Sequence, residues 1–231
     1  MATMGEMPMP GGWTMSMAWM RMPGQSWVGA AAMFLGMWLV MMVAMMLPSL
    51  VPMLWRYRQA VSATVETHLG LLTALVSAAY FFVWTVIGAV VFLFGAMLAT
   101  IVMQQPALAR VVPIVAGVVV LIAGALQFTK WKLRHLACCR ATPVRNRALA
   151  ADGATAWQHG VHLGVRCAKC CSGLIAILVV IGVMNLVAMT VVAAAITVER
   201  LVPAGKRAAQ LIGAAIIATG LFLIARATAF A

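Results

Sequence analysis

The chain has 231 residues, and its 16 Lys and Arg outnumber its 4 Asp and Glu, so that its net charge is +12. Hydrophobic residues make up 65% of it and charged residues only 9%, whereas a soluble domain carries roughly a quarter charged residues. The composition excludes an ordinary soluble domain and argues against nucleic-acid binding, because basic residues beside long apolar runs fix the orientation of membrane spans.

The first 26 residues form a segment rich in Met, Pro and Gly, with three Met-x-Met pairs. Its Pro/Gly-punctuated composition predicts a disordered tail. Thioethers need no deprotonation and form no disulfides, so they suit soft Cu(I) under oxidising conditions. The pattern indicates a copper-collecting arm, and the alternative is a low-complexity tail with incidental methionines. The candidate ligands are Met7, Met9, Met15 and Met17.

The remaining residues, 27–231, contain five apolar stretches, each near or above the ~20 residues that cross a bilayer as a helix. They lie at about 27–54, 69–98, 111–129, 171–198 and 208–226. This pattern predicts an all-α, polytopic membrane helix bundle with about five transmembrane helices. Most basic residues fall on one side of such a bundle, chiefly in a loop at about 130–170. The positive-inside rule therefore predicts a cytoplasmic loop and C-terminus and an outside N-terminus, in a bacterial inner membrane.

All five cysteines lie in or beside this predicted cytoplasmic loop. One end of the loop reads KLRHLACCR and the other GVHLGVRCAKCC. Cys-x-x-Cys spacing lets two sulfurs reach one metal ion, and a reducing cytosol disfavours a structural disulfide. A metal site for copper or zinc is predicted, with free packing thiols or a redox dithiol as alternatives. The candidate ligands are His135, Cys138, Cys139, Cys167, Cys170 and Cys171.

Methionines also recur inside two of the predicted spans. Span one contains MMVAMMLPSLVPM and span four contains GVMNLVAM, and counting from opposite faces brings their methionines to similar depths. Two interpretations stay open: methionine fills irregular gaps in apolar cores, or the thioethers relay Cu(I). The candidate relay residues are Met42, Met46, Met184 and Met189.

Isolated polar residues lie near the ends of the spans. Gln127 is expected to hydrogen-bond across helices, as amides in membrane helices do. Glu199, at the predicted outer end of span four, is expected to form a surface pair with Arg200 or Arg207.

The motifs MMVAMMLPSLVPM, KLRHLACCR, GVHLGVRCAKCC, GVMNLVAM and VERLVP together resemble the bacterial family of predicted metal-binding integral membrane proteins, a domain of unknown function. The resemblance covers about residues 28–226. It places Cys139 and the three cysteines Cys167, Cys170 and Cys171 on cysteine positions of the family, while His135 stands where the family has a cysteine. It implies metal binding and no established reaction.

The sequence thus predicts a non-enzymatic membrane protein that captures, transfers or delivers Cu(I) across or within the bacterial inner membrane. Its expected partners are the lipid bilayer and a metallochaperone, a cuproenzyme or a larger membrane complex, and a homo-oligomer is an open possibility. The alternative is an accessory or scaffold subunit with a structural zinc on the cytoplasmic cysteines. A dithiol redox enzyme ranks last, because no quinone or haem motif accompanies the cysteines.

Overall fold

The computed structural model describes residues 6–9, 13–16, 19–21, 24–61, 69–140, 152–183, 185–202 and 205–229. Within these ranges the chain forms one β-hairpin and seven helices. They are β1 (Glu6–Met9), β2 (Trp13–Ser16), α1 (Trp27–Val61), α2 (Leu69–Gln104), α3 (Pro106–Leu126), α4 (Lys130–Arg140), α5 (Gly153–Ile181), α6 (Leu186–Leu201) and α7 (Gly205–Ala229). Five of the helices, α1, α2, α3, α5 and α7, are long and apolar enough to cross a membrane. The predicted all-α membrane bundle is confirmed.

The N-terminal segment contains a hairpin that packs on one end of this bundle. Its strands are antiparallel, with Met7 opposite Met15. Trp13 Nε1 donates a hydrogen bond to the Ala109 carbonyl oxygen, 2.9 Å away near the start of α3, and Met15 is buried. Part of the tail predicted to be disordered is therefore ordered, because its tryptophan and methionine find partners on the bundle.

The long helices α1 and α2 pack antiparallel through aromatic and small residues. Trp38 lies against Gly88, where an added Cβ would come within 2.5 Å of the indole ring, and Trp38 Nε1 donates to the Trp84 carbonyl at 2.9 Å. Nearer the hairpin, the rings of Phe34 and Phe92 lie 5.2 Å apart. Glycine here lets a large indole lie against the backbone of the neighbouring helix.

Glycines also set the contacts of the other helix pairs. Gly164 of α5 packs on Val83 and Tyr80 of α2, and α2 and α5 run parallel. Gly117 of α3 packs on Ile224 of α7, and these two helices run antiparallel. These glycines thus permit close approach of the helices, as small residues do in membranes.

The fourth predicted span, 171–198, is wrong, because the chain reverses inside it. α5 ends at Ile181, and Gly182 adopts φ 128°, a conformation that favours glycine. Asn185 then caps α6, its side chain accepting a hydrogen bond from the Ala188 N–H at 3.0 Å. α6 runs back along α5 and brings Arg200 to Cys167. Both arms of this hairpin are apolar, so hydropathy alone reads them as one span.

Because α6 runs back along α5, the C-terminal helix α7 ends at a different end of the bundle from the one expected. α7 starts at the level that α6 has reached and runs to the start of α3, where Ile224 lies against Gly117. The carboxyl-terminal end of α7 therefore lies at the same end of the bundle as the N-terminal hairpin. The expectation of termini on opposite sides rested on five alternating helices, whereas α6, which is not one of the five possible spans, runs along the bundle as a sixth. Which end faces the cytoplasm stays a prediction.

The predicted loop at about 130–170 is helical wherever the structure describes it, in α4 and in the first half of α5; residues 141–151 lie outside the described ranges. Asp152 caps α5 by accepting a hydrogen bond from the Thr155 N–H at 3.3 Å, and hydrogen bonds from the side chain and then the backbone of Thr155 lower the pKa of the Asp152 carboxyl. Ala156, Gly160 and Gly164 then form a buried stripe at helical spacing. The polar residues between them interrupt the apolar pattern, so the sequence alone predicts a loop for this part of α5.

Candidate metal centre

Three cysteines lie buried in α5, where it meets α1, α2 and α6. Cys167 and Cys170 are each 1% exposed and Cys171 is 2% exposed. Cys167 and Cys171 are four residues apart and therefore share a helix face, and their thiols contact each other within hydrogen-bond distance. The Cys170 thiol also contacts that of Cys171, and the Cys170 carbonyl oxygen accepts a hydrogen bond from Lys132 Nζ of α4 at 2.7 Å.

Arg200, at the end of α6, holds its guanidinium against this pair of thiols. Its Nη2 lies 3.0 Å from Cys167 Sγ and 3.2 Å from Cys171 Sγ. Its Nη1 donates to Ser49 Oγ of α1 at 3.2 Å, and Ser49 in turn donates to the Met46 carbonyl at 3.0 Å. The prediction of Arg200 at the outer surface was wrong, because the α5–α6 reversal carries it into the bundle.

A thioether and a phenol complete the surroundings of Cys167. The Met46 sulfur lies 3.9 Å from Cys167 Sγ, and the Tyr80 hydroxyl lies 2.8 Å from the same sulfur. Both Met46 and Tyr80 have no exposed surface. Three sulfur atoms from two helices, those of Cys167, Cys171 and Met46, are thus gathered in a buried environment with one cationic side chain. We call these three residues with Arg200 the thiol–arginine cluster.

A second polar network lies directly beside the thiol–arginine cluster. Lys132 Nζ is 2.8 Å from Glu199 Oε2, and both side chains are buried. Gln127 Nε2 donates to Glu199 Oε1 at 2.9 Å, which confirms the expected hydrogen bond of Gln127 across helices. The expected surface pair of Glu199 was wrong: its partner is Lys132 of α4, inside the bundle.

None of the remaining predicted ligands is described within the thiol–arginine cluster. The His135 ring packs edge-on against Trp131 at 4.5 Å. Met42 is fully buried one helical turn from Met46, and Met189 is partly buried against the same core. The described residues include the backbone, but not the side chains, of Met7, Met9, Cys138 and Cys139, and they exclude Met17 and Met184.

The ligand atoms that the described residues gather indicate which metal ions they suit. Among them, no group of three or more His, Cys, Asp and Glu is arranged to hold a metal ion. A closed zinc site of four thiolate or imidazole ligands is therefore not formed within the described ranges. What they do bring together is two thiols and a thioether, soft sulfur ligands of the kind that bind Cu(I), zinc and iron–sulfur clusters.

The depth of the cluster follows from the helix that carries Met46. Met46 lies 19 residues after Trp27, the first residue of α1, which is about 28 Å along a helix at 1.5 Å per residue. That distance is close to the ~30 Å thickness of the hydrocarbon core. Beyond the cluster α1 continues to Val61 and exposes Arg56 and Arg58. The sulfurs thus lie about one hydrocarbon thickness from the start of α1, beside a basic end of the bundle.

Comparison with known proteins identifies the family. The model of a family described as copper chaperone, PpoB2, matches residues 35–223, while no curated protein and no solved structure matches the chain. The matched range contains the whole thiol–arginine cluster and leaves out the N-terminal hairpin. It covers well over half of the 231 residues, and it agrees with the metal-binding family expected from the motifs. The chain therefore belongs to the PpoB2 family of copper chaperones.

Proposed function

We propose that this protein carries Cu(I) inside the membrane and that Cys167, Cys171 and Met46 hold the ion. The observation that carries the proposal is the contact of Arg200 with both thiol sulfurs, 3.0 and 3.2 Å away, beside a thioether 3.9 Å from Cys167 Sγ. Membership of a copper chaperone family supports the choice of metal. The bundle supplies a buried, sulfur-rich site of the kind that soft Cu(I) prefers.

The arrangement suits an ion that must be held and then released. Two thiolates bind Cu(I) strongly, whereas a thioether is a neutral and weaker ligand. Met46 therefore completes the coordination without making it closed in the manner of a structural site. Burial keeps water and oxidants from the thiols. The hydrogen bond of Tyr80 to Cys167 orients the sulfur, as outer-shell partners do at metal sites.

A route to the cluster is suggested by the methionines of α1. Met41, Met42, Met45 and Met46 are all buried, between the N-terminal hairpin and the thiols. We propose that ions captured by Met7, Met9, Met15 and Met17 pass along this layer, with Met184 and Met189 on the α5–α6 hairpin as further thioethers. The ion is then delivered to a cuproenzyme or exchanged with a metallochaperone, in a bacterial inner membrane.

Cu(I) titration of the detergent-purified protein tests this proposal. Competition against bathocuproine disulfonate under anaerobic, reducing conditions gives the affinity of the wild-type protein. We expect the double variant Cys167→Ser/Cys171→Ser to lose the tight site. The matched control is Ser172→Ala, an exposed residue of the same helix whose hydroxyl donates to the Lys169 carbonyl; it should retain the site. Undiminished Cu(I) affinity in the double variant would refute the assignment of these two thiols.

Elemental analysis of protein purified without added metal addresses the zinc alternative. A protein that carries one zinc and does not bind Cu(I) would support the accessory-subunit function. In that case Cys138→Ser/Cys139→Ser should release the zinc, because the remaining cysteines alone make no closed site among the described residues. Copper without zinc is the result expected from the thiol–arginine cluster.

A further inference from the structure

We infer that Arg200 is the residue that makes the cluster selective for a monovalent ion over a divalent one. This inference rests on the proposed copper function and adds the physical basis of its metal specificity. Arg200 is 8% exposed, and its guanidinium contacts both proposed thiolate ligands. It contacts the ligands and is not itself a ligand, so it acts as a positioning and charge-compensating residue.

The geometry fixes the guanidinium on the sulfurs. Nη2 points at both Cys167 and Cys171, while Nη1 is held by Ser49, whose own hydroxyl proton is donated to the α1 backbone. Two independent helices, α1 and α6, thus determine where the positive charge lies. A planar guanidinium held in this way carries its charge permanently, so that any ion bound by the two sulfurs is bound next to a fixed cation.

The net charge of the two thiolates with their metal differs between Cu(I) and Zn(II). When a metal binds, the two thiols give up their protons to solvent and become thiolates. Two thiolates with Cu(I) carry a net charge of minus one, which the guanidinium neutralises. Two thiolates with Zn(II) are already neutral, so they would no longer attract the guanidinium. Because a buried cation in a membrane protein is stabilised by a negative neighbour, the cluster favours the monovalent ion over the divalent one.

The neighbouring ion pair does not alter this balance. Lys132 and Glu199 lie 2.8 Å apart and compensate each other, and Gln127 satisfies a further carboxylate oxygen. The two networks are adjacent in the fold because Glu199 and Arg200 are consecutive residues. Their roles differ: the Lys132–Glu199 ion pair joins α4 to α6, whereas the guanidinium of Arg200 contacts the two thiols.

The test compares the Cu(I) and Zn(II) affinities of four purified full-length proteins: wild type, Arg200→Gln, Arg200→Lys and the control Arg207→Gln. Cu(I) is titrated against bathocuproine disulfonate and Zn(II) against pyridylazoresorcinol. Arg207 is an exposed arginine near the start of α7. We expect Arg200→Gln to lower the ratio of Cu(I) to Zn(II) affinity by about 10- to 100-fold, the scale of outer-shell effects at metal sites. Arg200→Lys and Arg207→Gln should keep the ratio near the wild-type value.

The outcomes separate this inference from the proposed function. If wild-type protein binds no Cu(I), the proposed function fails. If wild type binds Cu(I) but Arg200→Gln weakens both metals equally, Arg200 is only structural and the inference alone is overturned. If Arg200→Gln does not fold, Ser49→Ala decides: loosening the guanidinium should lower the same ratio by a smaller factor, and an unchanged ratio would overturn the inference.

Discussion

Lys132 and Glu199 are 67 positions apart in the sequence, yet Nζ of one lies 2.8 Å from Oε2 of the other, with both side chains buried. The pair joins α4 to the end of α6, next to the residue that touches the thiols. It therefore fixes the carboxyl-terminal end of α6, and through it the position of Arg200, against the rest of the bundle.

Lys132→Met is expected to destabilise the folded protein by about 3–5 kcal/mol, because it leaves the Glu199 carboxylate buried without its cation. The free energy of unfolding is measured by denaturant titration in detergent. Lys130→Met, an exposed lysine on the same helix, is the control and should change little. The double variant Lys132→Met/Glu199→Gln should recover most of the loss, and a double variant as unstable as the single one would contradict this account.

Met46→Leu is expected to weaken Cu(I) binding about tenfold or more while leaving the fold intact, since a Met-to-Leu exchange conserves core volume. The prediction follows from the 3.9 Å contact of the Met46 and Cys167 sulfurs. Chelator competition measures the affinity, and thermal unfolding checks the fold. The adjacent buried residue Met45 provides the comparison: Met45→Leu should bind Cu(I) like wild type. Equal affinities of the two variants would remove Met46 from the site.

Replacing Met7, Met9, Met15 and Met17 together by Leu is expected to slow the loading of Cu(I) without changing the final affinity of the buried cluster. Thioethers of the arm would raise the local concentration of the ion at the entry end, whereas the equilibrium belongs to the thiols. A stopped-flow time course of loading from a weak chelator measures the rate. Met97→Leu/Met103→Leu, two exposed methionines of α2, is the control. Identical loading rates in all three proteins would exclude a capturing function for the arm.

Gly160→Ala is expected to destabilise the bundle by about 1–3 kcal/mol through overpacking. An added Cβ would meet the Val76 carbonyl oxygen and would lie 2.6 Å from the Ala79 Cβ, so α5 would have to move away from α2. Gly36→Ala, in α1 with nothing within 4 Å of the added atom, should instead stabilise the helix by up to about 1 kcal/mol. Denaturant unfolding gives both values, and a loss of stability in both variants would argue against close α2–α5 packing as the cause.

Apolar runs sufficed to predict the helical membrane bundle because the length of a run and its lack of charge are local properties. They failed at residues 171–198 because a reversal between two apolar helices changes neither property. Gly182 followed by Asn185 carried the missing signal: a glycine that permits a positive φ, followed by a helix-capping side chain.

The sulfur residues of the candidate site were predictable from residue type, whereas Arg200 was not. Cys167, Cys171 and Met46 stand out as soft ligands anywhere in a sequence, but a charged residue at the apparent end of a span looks interfacial. Its partner atoms come from α1 and α5, so only the folded hairpin reveals it. The expense of burying Glu199 and Arg200 between apolar stretches was the one sequence feature that pointed to an internal site.

The reversal after Ile181 has a consequence for the order in which the protein is made. The thiols are translated with α5, but their arginine follows only at the end of α6, about 30 residues later in the chain. A nascent polypeptide that has inserted α5 alone carries cysteines without their counter-charge. The proposed ion-holding site is therefore complete only when both arms of the hairpin have been made, so that loading of this site would have to follow finished biogenesis.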